Sequence, residues 1–137
     1  MPDGRSFWAW PFELDSEFGG LRPERSEPAA DPMPDASRLA SLGRTQPGAN
    51  TTLAVVACNA ALSTAECKRL AMMAQDGIAR AVRPAHTPFD GDTVFALASG
   101  ALPLGEDRAV QLGRLGSAAA DCLARAIARA VYEAGRG

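Results

Sequence analysis

Two apolar runs of strand length most constrain the folds that this chain can adopt, because each is followed by a segment with helical periodicity. The first run, TTLAVVAC, covers 51–58, and the second, DTVFALAS, covers 92–99. The near-continuous apolar character of the first run predicts a strand that is covered on both faces, and the second run predicts a second strand. With the helices that follow them, they predict the element order β–α–β–α and an α/β fold. Two strands make a poor sheet alone, so we expect the chain to be part of a larger structure.

Both helices are predicted from end signals and apolar spacing. Ser63 and Glu66 match the capping box S-x-x-E, which starts the first helix, and Pro84 ends it. The second helix is predicted over 106–134, with acidic residues at its start that suit the helix dipole. Residues at three- and four-residue spacing supply the two buried faces: Leu70, Met73, Ala74, Gly77, Ile78 and Ala81 in the first helix, and Val110, Leu115, Ala119, Cys122, Leu123, Ala126, Ile127, Ala130 and Val131 in the second.

Composition divides the chain near residue 50. Residues 1–50 hold seven of the ten prolines and both tryptophans, whereas 51–137 are rich in Ala, Leu and Val. The aromatic stretch 6–20 predicts an extended segment that packs against a missing half of the structure or a neighbouring subunit. The stretch 21–50 is predicted to be a loop and linker, with room for a short helix over 35–42.

Bulk properties exclude several classes of function. A formal net charge of −2, with scattered arginines, provides no basic field for nucleic acid or anionic lipid. No apolar run reaches membrane-spanning length and the start resembles no signal peptide, so we expect no membrane partner and a cytoplasmic protein. With a single histidine and no CxxC pair, we expect neither a metal site nor a cofactor. The three cysteines are predicted to be reduced thiols, mostly buried: Cys58, Cys67 and Cys122.

An asparagine and a threonine stand where the linker meets the first strand. Asn50 ends the tract GAN, and Thr51 leads TTLAVVAC. A threonine can use its own α-amino group as a base once the peptide bond before it is cut, because that group titrates near neutral pH. The alternative is a purely structural role in a turn followed by a strand start, which is the commoner role of threonine at such a position.

A second candidate feature is the run FDGDT, which contains two acidic residues. In extended backbone the side chains of Asp90 and Asp92 project to the same side, and Gly91 allows another backbone or a substrate to come close. The two carboxylates could therefore converge on one point. The alternatives are a turn at 90–91 with Asp92 capping the next element, or a cation site, for which two carboxylates are few ligands.

Taken together, these stretches resemble a known family. NTTLAVVACNAALS and KRLAMMAQDGIARAVRPAHTPFDGDTVFALASG are similar to the C-terminal part of the P1-type peptidases, family S58. That family includes L-aminopeptidase/D-esterases, β-peptidyl aminopeptidases and 6-aminohexanoate-oligomer hydrolases. The segment WAWPFELDSEFGG also looks like the stretch upstream of the self-cleavage point in this family. The resemblance covers nearly the whole chain and is weakest in the Pro-rich linker.

The resemblance implies a fold, a cut and a site. The fold implied is part of the αββα sandwich of N-terminal-nucleophile-like hydrolases, of the aminopeptidase/ornithine acetyltransferase-like type. Self-cleavage between Asn50 and Thr51 would separate an α-part that ends with 1–50 from a β-part, 51–137. Thr51 would be the nucleophile, and Asp90 and Asp92 would position and activate it. The substrate implied is a small peptide or amide, and the full protein is expected to be a homo-oligomer of α/β heterodimers.

The chain also departs from the family pattern. Family members are longer, and their upstream region supplies half of the sandwich and further groups near the nucleophile. Lys68, the one lysine here, lies on the first predicted helix and is not a candidate. We therefore expect a C-terminal piece without most of its oxyanion machinery, and His86 is expected to be a loop residue. Two alternatives stay open: a non-catalytic fragment that acts in assembly, and an ornithine acetyltransferase-type enzyme, against which FDGDT argues.

Overall fold

The computed structural model describes residues 6–23, 51–88 and 90–136. Predictions for Asn50 and for a short helix over 35–42 lie outside the described residues. The secondary structure elements follow the order predicted from the sequence, with the first helix divided in two. In chain order they are a 3-10 turn Trp10–Phe12, β1 Leu53–Ala60, α1 Thr64–Ala74, α2 Asp76–Ala81, β2 Thr93–Leu102 and α3 Arg108–Ala134.

The two strands pair in parallel. Leu53 lies opposite Thr93, the same register continues to Cys58 opposite Ala98, and an irregularity follows before Ala60. Parallel neighbours need a crossover connection, which α1 and α2 provide. Because both strands run the same way, their starting ends lie side by side. We call this end of the sheet the amino edge; it consists of 51–52 and 90–92.

The two faces of the sheet differ in exposure. Half-buried side chains alternate with exposed ones along both strands, so one face turns toward the helices. The other face carries large apolar side chains that are more than half exposed: Leu53, Val55, Phe95 and Leu97. The prediction that β1 is covered on both faces is therefore wrong for the part of the chain that the structure describes. One layer of helices can cover only one face of a sheet.

The first predicted helix begins as expected and is interrupted once. Ser63 Oγ accepts from Glu66 N at 3.3 Å, and the Glu66 carboxylate accepts from Ser63 N at 2.7 Å, so the capping box is confirmed. At Gln75 the helix breaks, because Ile78 N bonds Gln75 O in a tightened turn. The break brings Gly77 against α3, where a Cβ would lie 2.4 Å from the carbonyl oxygen of Ala120. The core positions Leu70, Ala74 and Ile78 are buried as predicted.

The helix α3 buries a face that shares only Leu123 with the one predicted. Its buried residues are mainly small, and a Cβ on Gly116 would come within 2.4 Å of Met73 Sδ. Small residues let α1 and α2 approach closely, and this packing selects the buried face. Within the described ranges, no helix has the length and apolar character needed to cross a bilayer. The residues buried on α3 are Gly116, Ala120, Leu123, Ala124 and Ala128.

Much of the predicted face of α3 lines an open cleft instead. The cleft lies between α3 and β1 and has a volume of about 300 Å³, with Leu115, Ala119 and Ala126 among its lining residues. Cys122 also borders it and is exposed, while Cys58 and Cys67 are half-buried. All three are free thiols, and the prediction that they are mostly buried is wrong. Cys122 is exposed because α3 turns this side away from its neighbours.

The aromatic segment 6–23 folds back on α3 of the same chain. Ala9 and Phe18 are almost fully buried in a small core with α3 residues. The Glu17 carboxylate forms an ion pair with the Arg125 guanidinium of α3. The prediction of an extended segment is therefore wrong, because the segment turns back on α3 of its own chain. The apolar side chains of this segment follow no helical or strand period, and they pack against α3, which is distant in the sequence.

A buried carboxylate organises the same segment. One oxygen of Glu13 accepts hydrogen bonds from the backbone N–H groups of Phe18 and Gly20, each at 2.9 Å. The other oxygen accepts from Arg22 Nη1 at 2.8 Å. The Glu13 side chain has no exposed surface, so its charge is compensated inside the segment. This carboxylate gives residues 13–22 a defined shape without regular secondary structure.

Candidate functional site

Thr51 lies exposed at the amino edge, two residues before β1 begins. Its neighbour Thr52 is held on both sides of its backbone. The N–H of Thr52 donates to Asp92 Oδ1 at 3.0 Å, and its carbonyl accepts from Thr93 N at 2.9 Å. The parallel register therefore brings the first candidate residue, Thr51, next to the loop that contains the acidic pair.

Asp92 is the acidic residue that reaches the strand with Thr51. Its side chain is 7% exposed, and its second oxygen, Oδ2, lies 3.1 Å from His86 Nδ1. The carboxylate thus has the Thr52 amide on one oxygen and an imidazole on the other. A hydrogen-bonding partner on each oxygen restricts the rotation of a carboxylate.

Asp90 contacts its own loop. Its Oδ2 accepts a hydrogen bond from Thr87 N at 2.7 Å. The hydroxyl of Thr93 donates to the carbonyl of Gly91 at 3.2 Å, which ties the loop to the start of β2. The structure therefore brings Asp92 to the backbone beside Thr51 and gives Asp90 a contact that shapes the turn leading to Asp92.

His86 is the member of this cluster that sequence reasoning missed. It was expected to be a loop residue without a direct role, and the structure brings its ring to Asp92. Its backbone φ of +57° is in the left-handed region, which residues other than glycine adopt uncommonly, histidine more often than most. The available signal was that His86 lies six residues before Asp92, in the short loop that leads to β2. Spacing alone does not show which way such a loop turns.

The chemistry open to this cluster is orientation and proton transfer. At the amino edge it contains the hydroxyl of Thr51, the nearly buried carboxylate of Asp92 and the imidazole of His86. Among residues 6–23, 51–88 and 90–136 no group of three or more His, Cys, Asp or Glu side chains is arranged to hold a metal ion. A hydroxyl beside such groups is suited to attack on an acyl carbon, provided that a base removes its proton.

Comparisons with known proteins agree with the resemblance seen in the sequence. The profile of peptidase family S58 matches residues 17–136. An uncharacterized aminopeptidase of Mycobacterium tuberculosis is 45% identical over 135 residues, which cover 91% of this chain and 38% of the relative. An uncharacterized aminopeptidase of Mycobacterium leprae is 46% identical over 134 residues, covering 91% of this chain and 35% of the relative.

A relative with a defined substrate also matches. The 6-aminohexanoate-oligomer endohydrolase of a Kocuria species is 34% identical over 71 residues, which cover 52% of this chain and 20% of that protein. The chain spans little more than a third of the length of the mycobacterial relatives. The family match includes the strand led by Thr51 and the loop that holds His86, Asp90 and Asp92. On the extent of that match, this chain belongs to peptidase family S58.

Proposed function

We propose that the protein to which this chain belongs is a self-processing amidohydrolase of the N-terminal-nucleophile type. Thr51 is its nucleophile, and small peptides or amides, including oligomers of ω-amino acids, are its substrates. The observation that carries this proposal is the hydrogen bond from Thr52 N to Asp92 Oδ1. In a chain that belongs to a peptidase family, that contact ties a nearly buried carboxylate to the residue directly after the candidate nucleophile.

The first reaction in this proposal is self-cleavage. The Thr51 hydroxyl attacks the carbonyl carbon of Asn50 and loses its proton to a neighbouring base. The C–N bond then breaks, the Thr51 nitrogen takes up a proton, and the acyl group stays on the Thr51 oxygen as an ester. Water hydrolyses that ester, which leaves a carboxylate on Asn50 and a free amine on Thr51.

The second reaction uses the amine that the first one frees. The α-amino group of Thr51 accepts the hydroxyl proton while the oxygen attacks the substrate carbonyl. The leaving amine takes that proton as the amide bond breaks, and water later hydrolyses the acyl-enzyme. Asp92 holds the backbone of Thr52 in place during both steps, and Asp90 shapes the loop that carries Asp92. Positioning of this kind lowers the barrier because reacting atoms start close and aligned.

The exposed face of the sheet supports the fold part of the proposal. Its large apolar side chains, Leu53, Val55, Phe95 and Leu97, are those of an inner sheet face. The mycobacterial relatives contain more than twice the length matched here. We propose that residues outside this chain supply a second layer, which completes an αββα sandwich and adds the donors for the oxyanion.

Self-cleavage is tested by intact mass and amino-terminal sequencing of the full-length gene product. We expect a fragment that begins with Thr51, and Thr51→Ala to abolish it, a loss of more than roughly 10³-fold. Thr64→Ala, a matched change at an exposed threonine of α1, and Cys58→Ser, which removes a thiol near the other end of β1, should both cut normally. A fragment that starts elsewhere, or cleavage that survives Thr51→Ala, would remove Thr51 as the nucleophile.

Substrate cleavage is tested on the processed protein. Aminoacyl p-nitroanilides and 6-aminohexanoate oligomers should release amine in buffer, and Thr51→Ala should not release it. Acyl transfer between amino acids without net hydrolysis would instead identify a transferase. The 137-residue chain expressed alone should show no turnover, because the proposed second layer and its oxyanion donors are missing from it. Turnover by that short chain would contradict the two-layer part of the proposal.

A further inference from the structure

The cluster at the amino edge contains one group to which the proposed mechanism assigns no task. His86 lies 3.1 Å through Nδ1 from Asp92 Oδ2, while Asp92 Oδ1 accepts from Thr52 N at 3.0 Å. The imidazole, the carboxylate and the Thr52 peptide therefore form a continuous series that ends one residue from Thr51. Its middle member is nearly buried and its outer member is about one-third exposed.

An aspartate carboxylate that accepts a backbone N–H with one oxygen can still rotate about its Cβ–Cγ bond. A donor on the second oxygen removes that freedom, because both oxygens then have fixed partners. The His86 ring can supply this donor from Nδ1 whether the ring is neutral with its proton on Nδ1 or carries both protons. The geometry thus makes His86 the group that fixes the orientation of Asp92.

The loop backbone is shaped to bring this ring to Asp92. His86 has φ of +57°, in the left-handed region, and the next residue, Thr87, donates its N–H to Asp90 Oδ2 at 2.7 Å. Asp90 thereby stabilises the turn that directs His86 toward Asp92. Glycine or asparagine adopts such a φ more readily than histidine, so the histidine side chain is accommodated at a conformational cost.

We propose that His86 is a positioning residue, which acts through Asp92 on the backbone beside Thr51. Its Nδ1–H donates to Asp92 Oδ2, and the oriented carboxylate holds Thr52 N–H, which sets the direction of the Thr51 hydroxyl and amine. This inference rests on the proposed function for its kinetic consequences. It adds that both self-cleavage and the later hydrolysis depend on a side chain that never touches the substrate.

Two substitutions at the same position separate the hydrogen bond from the backbone conformation. His86→Gly and His86→Asn both tolerate positive φ, but only asparagine supplies an N–H donor. In the full-length protein we expect His86→Gly to slow self-cleavage and lower kcat about 10- to 100-fold, with KM changed by less than about 3-fold. His86→Asn should recover most of that loss. Equal rates for wild type and His86→Gly, or equal losses in both variants, would overturn the proposal.

A spectroscopic measurement tests the contact without reference to activity. Selective ¹⁵N labelling of histidine identifies the His86 ring by its absence from the spectrum of His86→Asn. At a pH where the ring is neutral, we expect the proton on Nδ1, since the hydrogen bond to Asp92 selects that tautomer. Asp92→Ala should release this preference. A neutral ring that carries its proton on Nε2 in the wild type would contradict the proposal, even if Thr51 is the nucleophile. If Thr51→Ala still cleaves while His86 carries its proton on Nδ1, only the proposed function fails.

Discussion

The segment 6–23 and the amino edge of the sheet lie on opposite sides of the proposed cut, and they are held in different ways. The segment is fixed by buried side chains and by a fully buried carboxylate, Glu13. At the edge, Thr51 is exposed, and its surroundings are held by single hydrogen bonds to Asp92 and within its loop. Burial makes the segment a contributor to stability. The amino edge buries little apolar surface, so its hydrogen bonds can serve to orient Thr51 and its neighbours.

The difference also bears on what happens after cleavage. Because Phe18 and Ala9 pack on α3, which lies downstream of the proposed cut, we expect the segment to stay attached by contacts that do not need the Asn50–Thr51 bond. Changes in the segment should therefore alter stability and spare the reaction. Changes at the edge should slow the reaction far more than they lower stability. The three predictions below test this separation, from the largest expected effect to the smallest.

Asp92→Ala should slow self-cleavage roughly 10²- to 10³-fold and lower the free energy of unfolding by about 1–2 kcal/mol, less than the loss expected for Glu13→Ala. The substitution removes the acceptor of Thr52 N and the partner of His86 together. The rate is measured by mass spectrometry of the freshly refolded full-length protein. Asp107→Ala is the matched control, because Asp107 is exposed and makes no side-chain cap hydrogen bond at the start of α3. Equal rates of self-cleavage in Asp92→Ala and Asp107→Ala would show that the amino edge does not orient Thr51.

Glu13→Ala should lower the free energy of unfolding by about 2–4 kcal/mol, because two backbone N–H groups and a guanidinium lose their buried acceptor. Chemical denaturation of the full-length protein measures this loss. Glu106→Ala, at an exposed glutamate, is the control and should change stability by less than about 0.5 kcal/mol. Self-cleavage at temperatures well below the melting transition should proceed at the wild-type rate. A slowed reaction in the folded variant would show that the segment and the edge are coupled.

Acid should weaken the attachment of the segment through Glu17. The hydrogen-bonded Arg125 guanidinium holds the pKa of the Glu17 carboxyl below its ordinary value of 4.5. A carboxyl whose pKa is lowered by folding stabilises the folded state above its unfolded pKa, and this stabilisation is lost as pH falls through the folded pKa. Glu17→Gln should cost about 1 kcal/mol or less at neutral pH and flatten the decline in unfolding free energy below about pH 4.5. A decline of unchanged slope would assign the acid sensitivity to other carboxyls.

Local sequence signals were sufficient for the elements. The capping box at Ser63 predicts the start of α1, and the apolar runs predict β1 and β2 to within about three residues at each end. Leu70, Ala74 and Ile78 are buried because their spacing follows the helical period on a helix with a polar far side. These features depend on interactions within a few residues of each other, which a pattern in the sequence records directly.

The buried face of α3 and the location of the aromatic segment were not predictable in this way. The helix has apolar residues on several sides, so its periodicity does not single out one face. The close approach of Gly77 and Gly116 to neighbouring helices decided which side is buried. The aromatic segment lacks any period, and its partner is a helix about a hundred residues downstream, as the pair Glu17–Arg125 illustrates.

At the candidate site the sequence was enough to single out Thr51, Asp90 and Asp92 by residue type and by their place in FDGDT and at the strand start. The parallel register then decided that Thr52 lies beside Asp92, since hydrogen bonding between strands joins residues forty positions apart. Loop conformation decided that His86 also reaches Asp92. Chemical identity and short-range pattern are properties of the chain, whereas contacts between distant residues arise only when packing selects one arrangement from many.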